Sequence, residues 1–198
     1  MLAVAYRVLL ALTALTLSAH AADRNTLAED RTHRDPAIHW PKAYDPSVAP
    51  VFSHNELLIH TDCHRAFTRL ADATDWPNWF VLTKDVAAET PGPIGQGSLL
   101  RLRIFNTPIH SRIAEFVPDS RLSWVPWGED ETETRPGHFH AWHLLPEPTG
   151  CRVVTEETGI SPNDIKDPEF ASRFMHRAHD LWLASLKYTS EQEEITKP

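Results

Sequence analysis

Strict alternation of apolar and polar residues dominates the second half of the chain. Over residues 98–105, Leu100, Leu102 and Ile104 share one face of an extended segment and Arg101 and Arg103 the other, because successive strand side chains point to opposite sides. Asn106-Thr107-Pro108 turns the chain back, residues 109–116 alternate again, and Pro118-Asp119-Ser120 precedes a strand over residues 121–127. Residues 138–157 then predict a hairpin whose turn comes from Pro146-Glu147-Pro148-Thr149-Gly150. With the turn centred near Pro148 and Thr149, Leu144 faces Val153, Trp142 faces Thr155 and His140 faces Glu157. A histidine and a carboxylate thus sit side by side on a face that is otherwise largely apolar.

The first half is less regular. Residues 38–52 carry three prolines, which forbid a helix, but also Trp40, Tyr44, Val51 and Phe52. That predicts an extended segment packed along the domain. Residues 56–60 predict a first strand, and Thr61 or Asp62 caps a helix with Ala66, Phe67, Leu70 and Ala71 as its apolar positions. A short helical turn over residues 75–80, a second strand over 81–86 and a loop over 90–97 follow. Near the end, Asp167-Pro168 starts a long helix. Its stripe is read as Phe170, Phe174, Ala178, Leu181 and Ser185, widened by Met175, Trp182 and Leu186. A stripe that wide covers something large, such as a curved sheet. Strands in succession closed by a helix mean α+β, with helices on one face of an antiparallel sheet.

Composition adds limits. A chain of 198 residues with 41% hydrophobic residues and seven Trp is one folded domain's worth. A formal charge of −8 argues against nucleic acid as a partner, since that surface calls for a basic face. Residues 1–21 read as an export signal: Arg7, an apolar run too short to span a bilayer well, and Ala19-His20-Ala21 for cleavage. The expected product is periplasmic or secreted, without stable membrane insertion. Residues 22–37 read as a flexible leader, 38–190 as the domain and 191–198 as a frayed tail. In an oxidising compartment Cys63 and Cys151 tend to pair; the alternative is two separate buried thiols. There is no phosphate-binding glycine loop, and no cofactor is expected. His138 and His140 share a face, but no HExxH is present and no Cys or Asp lies at ligand spacing, so no metal site is expected.

The order of elements resembles the helix-grip superfamily of START-like (SRPBCC) proteins, which includes polyketide cyclases and lipid-transfer proteins. The stretches that carry the likeness are HWPKAYDPSVAPVF, ELLIHTDCHRAFTRLADATDWPNWF, GSLLRLRI, IHSRIAEFVPDSRLSW, HAWHLLPEPTGCRVVTEE and a closing helix ending LWLASLK. The resemblance implies a curved antiparallel sheet of about seven strands wrapped on the long C-terminal helix, with two short helices after the first strand. It also implies a cavity for a small hydrophobic molecule such as a lipid, steroid or polyketide. In that fold the first and last strands are antiparallel neighbours, which would let Cys63 and Cys151 meet. A disulfide there would contribute about 2–4 kcal/mol.

The cavity face would comprise Trp79, Leu100, Leu102, Ser111, Ile113, Trp124, His140, Trp142, Thr155, Glu157, Phe174, Ala178 and Leu181. His140 and Glu157 admit three roles. They close the sheet by bonding each other, they orient a ligand's polar head, or they act as acid and base with Ser111 as a third member. A Ser/His/Glu trio invites a hydrolase reading, but no nucleophile elbow accompanies it. Ligand binding is the leading expectation, with a cyclase or dehydratase using His140 and Glu157 as the alternative. A non-catalytic interaction or stress protein with an incidental cavity comes third.

Overall fold

The computed structural model describes residues 27–129 and 131–195, without the side chains of 193–195. The expected export signal lies outside these residues, as do 22–26 of the leader and 196–198 of the tail. Among the described residues, no helix is long and apolar enough to cross a membrane.

Seven strands form one antiparallel sheet: β1 (Val51–Ile59), β2 (Thr83–Ala88), β3 (Leu99–Ile104), β4 (Thr107–Val117), β5 (Arg121–Trp127), β6 (His138–Glu147) and β7 (Gly150–Gly159). Their spatial order is β1-β7-β6-β5-β4-β3-β2. The hairpin register is the one the alternation predicts, with His140 opposite Glu157, Trp142 opposite Thr155 and Leu144 opposite Val153. The first strand is longer than expected, starting at Val51, because residues 51–55 pair along the length of β7.

Two helices follow β1. In α2 (Cys63–Ala71) the Asp62 carboxylate caps the N-terminus by accepting from Arg65 N at 2.8 Å. The single turn α3 (Trp76–Trp79) carries Pro77 in its first turn. The long helix α4 (Pro168–Ile195) lies against the sheet, and Trp182, Leu183 and Leu186 join Leu100, Leu122, Trp124, Trp142 and Val153 in the main core. The opposite sheet face is covered by the proline-rich segment. There Ile38 and Tyr44 pack with Phe139, Ala141 and Val154, which alternate with the inward residues of β6 and β7.

Three sequence expectations need correction. Residues 27–37, inside the expected flexible leader, begin with a helix, α1 (Leu27–His33), packed on β1. Its Asp30 is buried and meets His176 Nδ1 at 3.0 Å. Residues 191–195 of the expected frayed tail instead continue α4, and Glu191 accepts from His60 N at 2.7 Å. Finally, the buried face of α4 carries Ser172, His176, His179, Leu183, Leu186 and Ser190, whereas Phe170, Phe174 and Leu181 are exposed. Ser172, His176 and His179 find partners there, while the buried Ser190 hydroxyl has none. Ser53 and Asn55 of β1 meet His179 and the carbonyl of His176, and Ser172 accepts from Phe52 N.

Cys63 and Cys151 are joined in a disulfide, with 5.0 Å between their Cα atoms. Ile59 pairs with Cys151 at the end of β1, which brings the start of α2 to the start of β7. Gly150 is required beside it, since a Cβ there would lie 2.1 Å from the Ile59 carbonyl oxygen.

Candidate functional site

Between α4 and the concave sheet face lies a cavity of about 910 Å³. Its wall is built from side chains that alternation sends inward: Leu100, Leu102 and Ile104 of β3, Ser111 of β4 and Trp124 of β5. Trp76 and Phe80 close it from the α3 side, and Phe174, Met175, Ala178 and Trp182 from α4. Phe105, at the tip of the β3–β4 turn, packs against Phe174 with ring centres 5.0 Å apart, and Phe170 stacks on Phe174 at 6.2 Å. These three rings line the cavity and are also 43–59% exposed, so they form an apolar rim at its mouth.

The polar side of the cavity gathers around the β6–β7 hairpin. His140 of β6 and Glu157 of β7 approach to 3.4 Å, and His179 of α4 places Nε2 at 2.9 Å from the same carboxylate oxygen. The two imidazoles stack with centres 4.5 Å apart. Each outer ring nitrogen is tied to a buried hydroxyl: His140 Nε2 to Thr155 Oγ1 at 2.7 Å, and His179 Nδ1 to Ser53 Oγ at 2.9 Å. Next to them His138 Nε2 meets Asp164 at 2.7 Å.

Burial dominates the electrostatics. It disfavours an imidazolium at His140, and the neighbouring His179 and His138 add to that, so its pKa falls to about 3 despite Glu157. Burial also opposes ionisation of Glu157. His140, the hydrogen bond from His179 and the charge of His138 outweigh it and bring the carboxyl down to about 2. His138 is pushed up to about 9, since its bond to Asp164 and the charge of Glu157 overcome burial. Glu157 is therefore ionised and His140 neutral. A carboxylate, a neutral imidazole and a second imidazole at the end of an apolar chamber can bind a hydroxyl or carbonyl head. They can also move a proton. His140, Glu157 and His179 offer three ligand atoms that all lie within 4.8 Å of one another.

Of the residues expected on the cavity wall, Leu100, Leu102, Ser111, Trp124, His140, Glu157, Phe174 and Ala178 are there. The other five are not. Leu181 is 41% exposed, because the buried face of the helix is turned by about 150° from the stripe of Phe170, Phe174, Ala178, Leu181 and Ser185. Trp142 and Ile113 are core residues beneath the wall, and Thr155 stands behind His140. Trp79 packs against the outside of the core, and Trp76 takes the place foreseen for it. Ser111 cannot act as a third partner of His140. It lies on β4, two strands away across β5, or roughly 10 Å at ordinary strand spacing. The sequence reading, which expected no metal site, did not bring His179 to the His140–Glu157 pair. That residue sits on a different element, and no local spacing motif announces it.

No family model matches the chain, and no curated protein matches it. Solved structures do. A Helicobacter pylori protein described as hypothetical superposes with a TM-score of 0.70 at 21% identity, over 79% of this chain and 98% of its own. The di-domain aromatase/cyclase StfQ of the steffimycin biosynthetic pathway gives 0.61 at 15% identity, over 73% of this chain and 51% of its own. Ara h 8.0201 gives 0.58 at 9% identity, over 71% and 97%. At such identities the likeness is one of architecture, and the chain has the helix-grip fold.

Proposed function

We propose that the protein binds a small, largely apolar molecule of the lipid, steroid or polyketide kind in this cavity, with its polar end at His140, Glu157 and His179. The observation that carries this reading is the cavity itself: about 910 Å³, walled largely by aliphatic and aromatic side chains, with His140, Glu157 and His179 gathered on one side. That is the usual character of a small-molecule site. A ten-carbon chain buried there gains roughly 8 kcal/mol before the costs of association. Export of the protein belongs to this reading, and the Cys63–Cys151 disulfide supports it, since such bonds persist in oxidising compartments.

A second reading, a cyclase or dehydratase, is favoured by the imidazole and carboxylate 3.4 Å apart at the cavity wall and by the fold shared with an aromatase/cyclase. Native mass spectrometry of protein purified from its own host separates the possibilities. Ligand binding predicts a retained amphiphile and weakened retention in His140→Ala. Enzymatic use predicts lost turnover with binding kept. No retained molecule, together with a His140→Ala variant changed only in melting temperature, would leave an interaction or stress role with an incidental cavity.

A further inference from the structure

We propose that His140 Nδ1, Glu157 Oε2 and His179 Nε2 form a binding site for one divalent first-row transition-metal ion, with the remaining coordination positions open to the cavity. This goes beyond the ligand-binding reading and does not depend on it. The three donors come from β6, β7 and α4, so the sheet and the helix that grips it each contribute. Glu157 Oε2 lies 2.9 Å from His179 Nε2 and 3.4 Å from His140 Nδ1, and the whole set falls within 4.8 Å. Bonds of ~2.1 Å in a tetrahedral site place ligand atoms about 3.4 Å apart. The 3.4 Å contact of His140 with Glu157 already has that spacing. The 2.9 Å contact of His179 has to open by about 0.5 Å, and the two stacked imidazoles, with nitrogens at most 4.8 Å apart, have to draw together.

The surroundings distinguish this cluster from an ordinary buried ion pair. A metal-ligating histidine holds its other ring nitrogen by a hydrogen bond, which fixes the tautomer and aims the lone pair. Both histidines meet that requirement, at Thr155 Oγ1 and at Ser53 Oγ, and both hydroxyls are fully buried. With the proton on the outer nitrogen of each ring, both inner lone pairs converge on the space beside Glu157. Two imidazoles and one carboxylate suit zinc, iron(II) or cobalt(II), while calcium and magnesium prefer oxygen ligands throughout. One carboxylate with two neutral imidazoles leaves a divalent ion with one positive charge in excess. Hydroxide or an oxyanionic ligand head would take the open position. The adjacent His138–Asp164 pair adds a cation and an anion together.

The test uses the tag-free full-length protein, stripped of metal and titrated with Zn²⁺ by calorimetry and with Co²⁺ by visible absorption and paramagnetic proton NMR. The expected result is one ion per chain, cobalt bands of low coordination number, and shifted ring protons on two histidines. Glu157→Gln and His179→Ala should weaken binding at least 100-fold, and Thr155→Val and Ser53→Ala 10- to 100-fold. His64→Ala, at an exposed surface imidazole, should leave it unchanged. Circular dichroism of each variant separates lost binding from lost folding, and the cobalt NMR of the unmutated protein needs no variant. Absence of stoichiometric binding overturns the proposal, as does binding that His179→Ala and Glu157→Gln leave intact, which would place the ion on surface histidines. Neither result touches the retention of an apolar molecule, which the mass-spectrometric experiment reads separately.

Discussion

Trp182 is the side chain against which the aromatic wall of the cavity is assembled. Its indole stacks on Phe80 at 4.3 Å between ring centres and meets Trp76 edge-on at 5.1 Å. His140 and Trp142 both lie 5.5 Å away. Such a residue holds the short helices, the hairpin and α4 in one arrangement, so its loss is felt on every side. Trp182→Ala is expected to destabilise the protein by about 3–5 kcal/mol, the usual range for an aromatic deleted from a core. Urea denaturation checks this; a loss below 1 kcal/mol would mean that the cluster does not hold the fold.

At the scale of elements, α1 and the segment after it act as a strap held by histidine–carboxylate pairs. Asp30 meets His176, Asp35 meets His143 at 2.7 Å, and Asp35 N donates to the buried Glu156. Burial disfavours the His176 imidazolium, but the bond to Asp30 and the charges of Asp30, Asp180 and Glu29 raise its pKa above the usual value. Its contribution is full below the free imidazole value of about 6.5 and is lost as pH rises through the raised folded value. Asp35 has the opposite sign. Burial opposes its ionisation, yet His143 and the Ala37 amide lower its pKa, so its contribution is full above the free carboxylate value and fades as pH falls through the lowered one. The melting temperature should therefore fall on the alkaline side of neutrality, and Asp30→Asn should flatten that limb; an unchanged alkaline limb in the variant would refute the clamp. This strap also marks where sequence reasoning stops. The strands and the His140–Glu157 register were legible because alternation reports directly which side is buried. The strap and the true face of α4 were not. Their buried positions are Asp30, Ser172, His176 and His179, polar residues satisfied by partners far away in sequence. Hydropathy ranks them as exposed, and it ranks Phe170, Phe174 and Leu181 as core. His179 was hidden for the same reason, and with it the third member of the cavity's polar cluster.

For the whole molecule, a large chamber in the core is a stability problem that the fold meets at its edges. The disulfide ties the start of α2 to the start of β7 across a sequence separation of 88 residues. In the chain-entropy account such a loop is worth about 4–5 kcal/mol, with strain and denatured-state structure usually reducing the measured figure. Reduction should lower the unfolding free energy by up to that amount, while a ligand filling the chamber should raise it. At a ligand concentration a hundred times Kd the gain is about 2.7 kcal/mol, provided that only the folded state binds. Ala178 offers a way to test the chamber alone. It lines the cavity from α4, is only partly buried, and is one residue from His179, so a larger side chain there projects into the space without removing a core group. Ala178→Trp should leave the ligand-free protein close to wild-type stability, because it fills a void where most enlargements overpack a core. The same variant should lose the thermal response to a saturating fatty acid or steroid that the wild type shows. If wild type and Ala178→Trp respond equally, the molecule binds outside the cavity, and the grip of the sheet on α4 serves folding alone.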